Sequence, residues 1–599
     1  MKCNPHITCN KSPLQKILFT IAFFIFCFNL NAQYYIRGEV KDEKNQPLQN
    51  VKIYLHSNRL LYFSGNTGGF GILTTKFFDT LTFNADGYEP KSIPVKADTY
   101  QEVTLKMLFP NTNVQKQRLI SISGELDKRS QQNEGFGNES YSNLVENNFI
   151  KAGKFPVTEF SVRADKASYT NIRRFINQKT TVPVDAVRIE EMLNYFNLNY
   201  KEPGQNKIFN LESQLTSCPW NADHQILFIN LSAKKLNFDT LPSGNFVFLI
   251  DVSGSMDLPN RLPLLKAAFQ SLVKNLRDKD TISIVTYGGS VGTWLPPTSG
   301  AEKQKIIKSI EQLNAAGDTP GEAALRAAYK LAKSSFINGG NNRIILATDG
   351  DFNVGQTTEK ELEELITKER KNGIYLTCLG VGMGNYKDSK IEALAKRGNG
   401  NFAYLDDIKE GEKVLVKELT QTLYTVANDV TMSMQFNPEM VKEYRLIGYD
   451  NKRGVLMDSS SILEGGEIGS GSGITAVFEI APTENNSKAD SLKGIADIKL
   501  NYRLPDDSTQ QCDEYSCVNN YKGINSISNN LKFATSLTMF GLLLKGSQYA
   551  SHASLNEVEK IAKEAKDPDD YLQDEFIRIV DNARKIYSKK NKKKTVVKY

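Results

Sequence analysis

Five short apolar runs, at residues 246–250, 281–287, 343–347, 374–381 and 401–405, alternate with stretches whose apolar residues recur every three or four positions. Leu264, Leu265, Ala268, Phe269, Leu272, Val273 and Leu276 show this spacing and define one buried helix face. Strand and helix in strict alternation predict a doubly wound parallel sheet over residues 241–426.

In an open parallel sheet the carboxyl ends of neighbouring strands share one crevice, and ligands bind there. Three loops expected at that end carry oxygen donors. Asp251-Val252-Ser253-Gly254-Ser255 follows the first strand; Thr319 lies in a loop ahead of an apolar-periodic helix at 322–333; Asp349 ends the strand at 343–347. Few carboxylates and several hydroxyls suit a hard divalent cation such as Mg²⁺, which takes oxygen ligands in near-octahedral geometry and keeps several waters.

In type and order, Asp251, Ser253, Ser255, Thr319 and Asp349 resemble the metal-ion-dependent adhesion site of von Willebrand factor type A (VWA) domains. The resemblance implies that Ser253, Ser255 and Thr319 ligate Mg²⁺ or Mn²⁺ through their hydroxyls while Asp251 and Asp349 hold its waters. It also implies an open sixth position, filled by a carboxylate of a protein partner.

At 599 residues the chain is too long for one domain, and roughly three to five are expected. Residues 1–32 read as a secretory signal peptide, with Lys2, Lys11 and Lys16 ahead of an apolar run at 17–30 and Asn31-Ala32 before Gln33. Cys27 follows Phe26 rather than a small residue, which argues against a lipoprotein. Residues 33–106 alternate with period two in short runs, as a small β-sandwich does. Gly38, Val40, Asp42, Pro47, Leu48, Val51, Gly69-Phe70 and Asp86-Gly87-Tyr88 resemble the carboxypeptidase-regulatory-like domain. Residues 107–154 have linker composition.

Residues 160–175 and 185–196 resemble the companion domain, expected here at 155–240, that precedes the VWA domain in bacterial proteins of the YfbK type. Thr348-Asp349-Gly350-Asp351-Phe352-Asn353-Val354-Gly355 and Arg397-Gly398-Asn399-Gly400-Asn401 match the same group, as does the helix at 533–544. Arg163 and Lys166 stand where that group usually carries acid. A β-rich domain is expected at 427–525, a helical region at 526–586 and a basic tail at 587–599. The fold class expected is therefore multidomain α/β plus β: a VWA domain flanked by β-sandwich-like domains, with a C-terminal helical segment.

The net charge of +6 conceals an acidic body, because residues 1–32 contribute +3 and residues 582–599 contribute +8, leaving −5 between them. Nucleic acid is not an expected partner. The Lys-rich C-terminus is the one segment suited to peripheral contact with a membrane or cell envelope. Of seven cysteines, four follow residue 32, and Cys512 and Cys517 stand close enough in sequence to pair if they occupy a loop of an exported protein. Cys218 and Cys378 read as packing residues. Beyond residue 32 the only histidines are His56, His224 and His552, and no Ser-His-Asp nucleophile elbow is expected. A Mg²⁺-dependent hydrolase using Asp318 or Asp351 and an envelope scaffold with a structural metal are the alternatives. The expected function is not enzymatic: an exported protein, periplasmic or at the cell surface, that binds or adheres to a protein through its metal.

Overall fold

The computed structural model describes residues 34–106 apart from 44, 58–59 and 86–87. It also describes 139–596 apart from 289, 318–320, 351–358, 385, 453–464, 485, 487–493, 506 and 508, and lacks side-chain detail at 359–360, 451–452 and 589–596. The chain divides into two compact units, one on each side of residues 115 and 116.

The N-terminal unit holds seven strands: β1 (Tyr34–Asp42), β2 (Lys52–Leu55), β3 (Leu60–Phe63), β4 (Gly69–Thr74), β5 (Phe78–Asn84), β6 (Lys91–Lys96) and β7 (Gln101–Leu105). They form two sheets, β4-β1-β7 and β3-β2-β5-β6. Alternate residues of both sheets, including Ile36, Val40, Ile53, Ile72, Phe83 and Val103, meet in one apolar core. The period-two pattern read in the sequence is therefore the inward face of each strand.

In the second unit the chain first builds β8 (Leu144–Val145), β9 (Ile150–Lys151), β10 (Val157–Ser161), helices α1 (Ala167–Asn177) and α2 (Ile189–Tyr195), then β11 (Phe209–Ser217) and β12 (Gln225–Ala233). It resumes this layer only after the central domain, with β19 (Thr425–Phe436), β20 (Val441–Ile447), β21 (Asn451–Lys452), β22 (Gly466–Gly469), β23 (Gly473–Pro482), β24 (Gly494–Arg503) and β25 (Gln510–Val518). One sheet runs β10-β19-β24-β25 with β22 attached to β19, and a second runs β11-β12-β23-β20-β9. Pairs such as Phe228↔Val477 and Phe160↔Met432 join segments from either side of the central domain. Both sheets bury their apolar faces in a common core that includes Phe160, Leu227, Ile229, Met432, Phe478 and Ile498.

The segments at 155–240 and 427–525 are thus interlocked rather than separate. The central domain is inserted between strands that pair with each other. Part of the expected linker is also built in: β8 and β9 fall within 107–154, and buried Asn147 donates to the carbonyls of Leu446 and Gly448 at 3.1 and 3.0 Å. Within 139–154, polar side chains such as Glu139 and Asn147 are hydrogen-bonding partners, which composition alone cannot distinguish from solvated ones, and 107–138 lie outside the described residues.

The inserted domain is a six-stranded sheet in the order β15-β14-β13-β16-β17-β18. Its strands are β13 (Gly244–Asp251), β14 (Thr281–Gly288), β15 (Ser290–Ser299), β16 (Asn341–Thr348), β17 (Ile374–Val381) and β18 (Phe402–Leu405). All neighbours are parallel except β15, an antiparallel edge strand against β14 that the sequence reading did not include. Helices α3 (Leu262–Lys274), α4 (Lys303–Glu311), α5 (Gly321–Ser334), α6 (Glu359–Lys371) and α7 (Asp388–Arg397) connect them. Phe246, Phe248 and Ile250 of β13 pack into the layer containing α3, while Val247 and Leu249 pack into the layer containing α5 and α7. A central strand buried on both faces has no room for polar alternation, hence its continuous apolar run.

Helices α8 (Asn529–Lys545), α9 (Leu555–Ala565) and α10 (Tyr571–Val596) follow β25. Ser528 caps α8 by accepting from Leu531 N, and Gly546 ends it at φ 64°, a conformation suited to glycine. α8 is apolar nearly all round because it is packed on all sides, with α2 and α9 among its neighbours; Phe196, Phe533, Phe540 and Phe576 meet edge to face. No helix among the described residues is long and apolar enough to cross a membrane, and residues 1–33 lie outside them.

Cys512 and Cys517 do not pair. Both lie on β25, where five positions place them on opposite faces and about 17 Å apart, whereas a disulfide needs Cα atoms within about 7 Å. Cys512 is exposed; Cys517, Cys218 and Cys378 are buried, and burial pushes the Cys517 thiol up to about 11. Native alkylation followed by peptide mapping is expected to modify Cys512 and spare those three until denaturant is added. Labelling of Cys517 in the folded protein would contradict this placement.

Candidate metal centre

Four of the five sequence-predicted residues, Asp251, Ser253, Ser255 and Asp349, lie where parallel strands β13 and β16 end side by side, with Ile250 in register with Ala347. Asp251, the last residue of β13, is fully buried. Its Oδ1 accepts from Ser253 N at 2.9 Å and its Oδ2 from Thr348 Oγ1 at 3.1 Å. These bonds aim the carboxylate along the turn, and the turn brings Ser253 Oγ and Ser255 Oγ to 3.1 Å from each other. Asp349, also buried, is the first residue after β16. Gly350, at φ +91°, turns the chain away beneath Lys387, whose backbone nitrogen would lie 2.4 Å from any Cβ at that position.

Thr319 lies outside the described residues, as do Asp318 and Asp351. The chain leading to Thr319 is nevertheless bound to the motif: Gly254 N donates to the Gly317 carbonyl at 3.0 Å and Ala316 N to the Val252 carbonyl at 2.6 Å. Gly288 makes this approach possible, since a Cβ there would stand 2.6 Å from both the Ala316 and Val252 carbonyl oxygens.

The electrostatics around Asp251 disfavour its negative charge, chiefly through burial. Burial, with the charge of Asp349 added, pushes the Asp251 carboxyl up to about 6 even though Ser253 and Thr348 hydrogen-bond it. Burial likewise holds the neighbouring Tyr287 phenol well above its ordinary range, reinforced by the Asp251 charge. A divalent cation held beside Asp251 would oppose both effects.

The donor set fits such an ion. Ligands at adjacent octahedral positions around Mg²⁺ sit about 3 Å apart, which is the separation of the two serine oxygens. Among the described residues no group of three or more His, Cys, Asp or Glu is arranged to hold a metal ion; the donors here are two serine hydroxyls beside Asp251 and Asp349, oxygen ligands of the kind a hard cation takes. Ser253, Ser255 and the two aspartates would hold the ion and its waters.

Sequence reasoning missed Arg261. Its Nη1 donates at 2.6 Å to both the Ser255 carbonyl and Asp349 Oδ2, and its Nη2 donates at 2.8 Å to the Met383 carbonyl. One signal was available: a lone cation at the N-terminus of α3, the end at which the helix dipole disfavours positive charge.

Sequence comparison agrees with this architecture. Residues 245–421 match the profile of the von Willebrand factor type A domain, residues 135–228 a profile described as von Willebrand factor, and residues 421–586 one described as uncharacterized protein YfbK, C-terminal. Over 472 residues the chain is 38% identical to YfbK of Escherichia coli K12, spanning 75% of this chain and 81% of that one. The chain belongs to the YfbK family of VWA-domain proteins. The YfbK-like portion thus includes the inserted domain together with the interlocked sheets and helices around it. A shorter similarity, 28% over 209 residues, links it to inter-alpha-trypsin inhibitor heavy chain H2 of Mesocricetus auratus, covering 34% of this chain and 21% of that protein. Among solved structures, the von Willebrand factor type A protein from Catenulispora acidiphila aligns with a TM-score of 0.37 at 14% identity, over 62% of this chain and 89% of that one.

Proposed function

We propose that this YfbK-family protein is an exported binding or adhesion module that engages a protein partner through a Mg²⁺ or Mn²⁺ held at Asp251, Ser253, Ser255, Thr319 and Asp349. The observation that carries the reading is the pair of serine hydroxyls at octahedral spacing beside two buried carboxylates at the carboxyl edge of the sheet. When bound, the ion supplies an open coordination position for an acidic side chain of the partner. The protein's own residues orient that position: Asp251 fixes the turn through Ser253 N, and Thr348 fixes Asp251. Leu258 and Met383, 50% and 38% exposed, stand on the loops that meet at Arg261 and offer apolar contact beside the charge.

The composition of residues 1–32 supports export, to the periplasm or the cell surface. The N-terminal unit fits a carboxypeptidase-regulatory-like β-sandwich acting as a spacer, and the two interlocked sheets fit a β-sandwich that carries the VWA domain. The Lys-rich C-terminus suits peripheral contact with the envelope. With hydroxyls and two carboxylates but no histidine or nucleophile elbow in the motif, the site is equipped for docking rather than turnover.

Pull-down from an envelope extract with the full chain as bait tests the reading. Partner recovery is expected with Mg²⁺ or Mn²⁺ and lost with EDTA or in Asp251→Ala. Recovery indifferent to chelation would sink metal-dependent binding in favour of a scaffold.

A further inference from the structure

Arg261 is oddly placed for a surface-helix cation. It opens α3 but is only 6% exposed, its guanidinium turned inward to oxygens from three loops: the Ser255 carbonyl, Asp349 Oδ2 and the Met383 carbonyl. Its Nε is buried without a hydrogen-bond partner. Gly382 makes room for it, because a Cβ at that position would lie 2.6 Å from Nε and the backbone there stands at φ +80°. Gly384, at φ +87°, follows Met383, and its N–H donates to Glu139 Oε1 at 2.7 Å. Arg174 holds that same carboxylate through two bonds of 2.8 Å, so the far end of the loop is anchored.

Two cations therefore have a claim on Asp349. The guanidinium is paired with buried Asp349. An ion held by the Ser253 and Ser255 hydroxyls would sit close to that fixed positive charge, where little water screens the repulsion.

We propose that Arg261 is a built-in counter-cation of the metal site, competing with the ion for Asp349 and, through the Met383 carbonyl, tying the position of the Met383 loop to occupancy. This rests on the metal-site reading above. Ion entry draws Asp349 from the guanidinium, the bond to Met383 loosens, and the segment between Gly382 and the Glu139 anchor shifts. The apolar contact offered to a partner then differs between the two states.

Calorimetric titration of the full chain with Mn²⁺ alone tests this in wild type, Arg261→Gln and Arg261→Lys. Arg261→Gln is expected to bind Mn²⁺ about tenfold more tightly, and Arg261→Lys, which keeps the charge, to stay within about threefold of wild type. Equal or weaker binding by Arg261→Gln, with wild type binding, overturns the counter-cation and leaves the metal site standing. Absence of Mn²⁺ binding in both overturns the metal site and the counter-cation together. Amide exchange in wild type needs no variant: the Met383 and Gly384 amides are expected to exchange faster at saturating Mn²⁺. Slower or unchanged exchange overturns the coupling even if Arg261→Gln does not fold.

Discussion

Asp251→Ala is expected to erase the Mn²⁺-dependent part of the protein's stability. An ion that binds the folded state alone adds about 2.7 kcal/mol at a hundredfold excess over Kd, through mass action on the folded state. Asp251 is central to that increment because it does two things at once: it supplies buried negative charge, and its Oδ1 holds the turn that brings the serine hydroxyls together. Alanine removes both. Without metal the change is expected to be smaller, because losing the bonds from Ser253 N and Thr348 Oγ1 is offset by losing a carboxylate that burial already disfavours. Urea denaturation with and without Mn²⁺, compared at unchanged m-value, reads the difference. The same Mn²⁺ increment in Asp251→Ala would refute the site.

The second large effect is expected at Arg188, which precedes α2 in the flanking layer and reaches into the inserted domain. Its Nη1 and Nη2 donate to Asp388 Oδ2 and Oδ1 at 2.8 and 3.3 Å, and its Nε donates to Glu191 Oε1 at 2.5 Å. The Arg188 and Glu191 side chains are 5% and 6% exposed and Asp388 is fully buried. Removing one partner of a buried pair leaves an uncompensated charge, which costs about 3–5 kcal/mol. Arg188→Ala takes the guanidinium from two buried carboxylates, which keep neutral donors such as Asn171 Nδ2 on Asp388 and Ser168 N on Glu191, so its cost belongs within that range. Asp388→Ala leaves the guanidinium with Glu191 and should cost less. Urea midpoints for the two variants check the order, and a loss below about 1 kcal/mol for Arg188→Ala would show that water reaches the pair.

The inserted domain was legible because its physics is local. A strand buried on both faces must be apolar along its length, so 246–250 and 343–347 stand out. The hydroxyls and carboxylates of the site follow directly from strand ends, so Asp251, Ser253, Ser255 and Asp349 could be found by position. Arg261 could not be assigned that way, since its partners Asp349 and Met383 are distant in sequence and meet only after three loops fold together. The Cys512–Cys517 expectation failed because proximity in sequence was read as a loop, whereas the pairing of β24 with β25 makes the segment a strand.

The sequence by itself determined the alternating strands and helices, the hydroxyls and carboxylates that stand at the ends of β13 and β16, and the period-two sheets of the N-terminal unit, all of which depend on neighbours within a few residues. Only the tertiary structure decided that 155–240 and 427–525 share one core, that part of 107–154 is structural, and that a guanidinium stands against Asp349. Each of these depends on contacts such as Phe228 with Val477, across roughly 250 residues, and no local pattern encodes which distant strand completes a sheet.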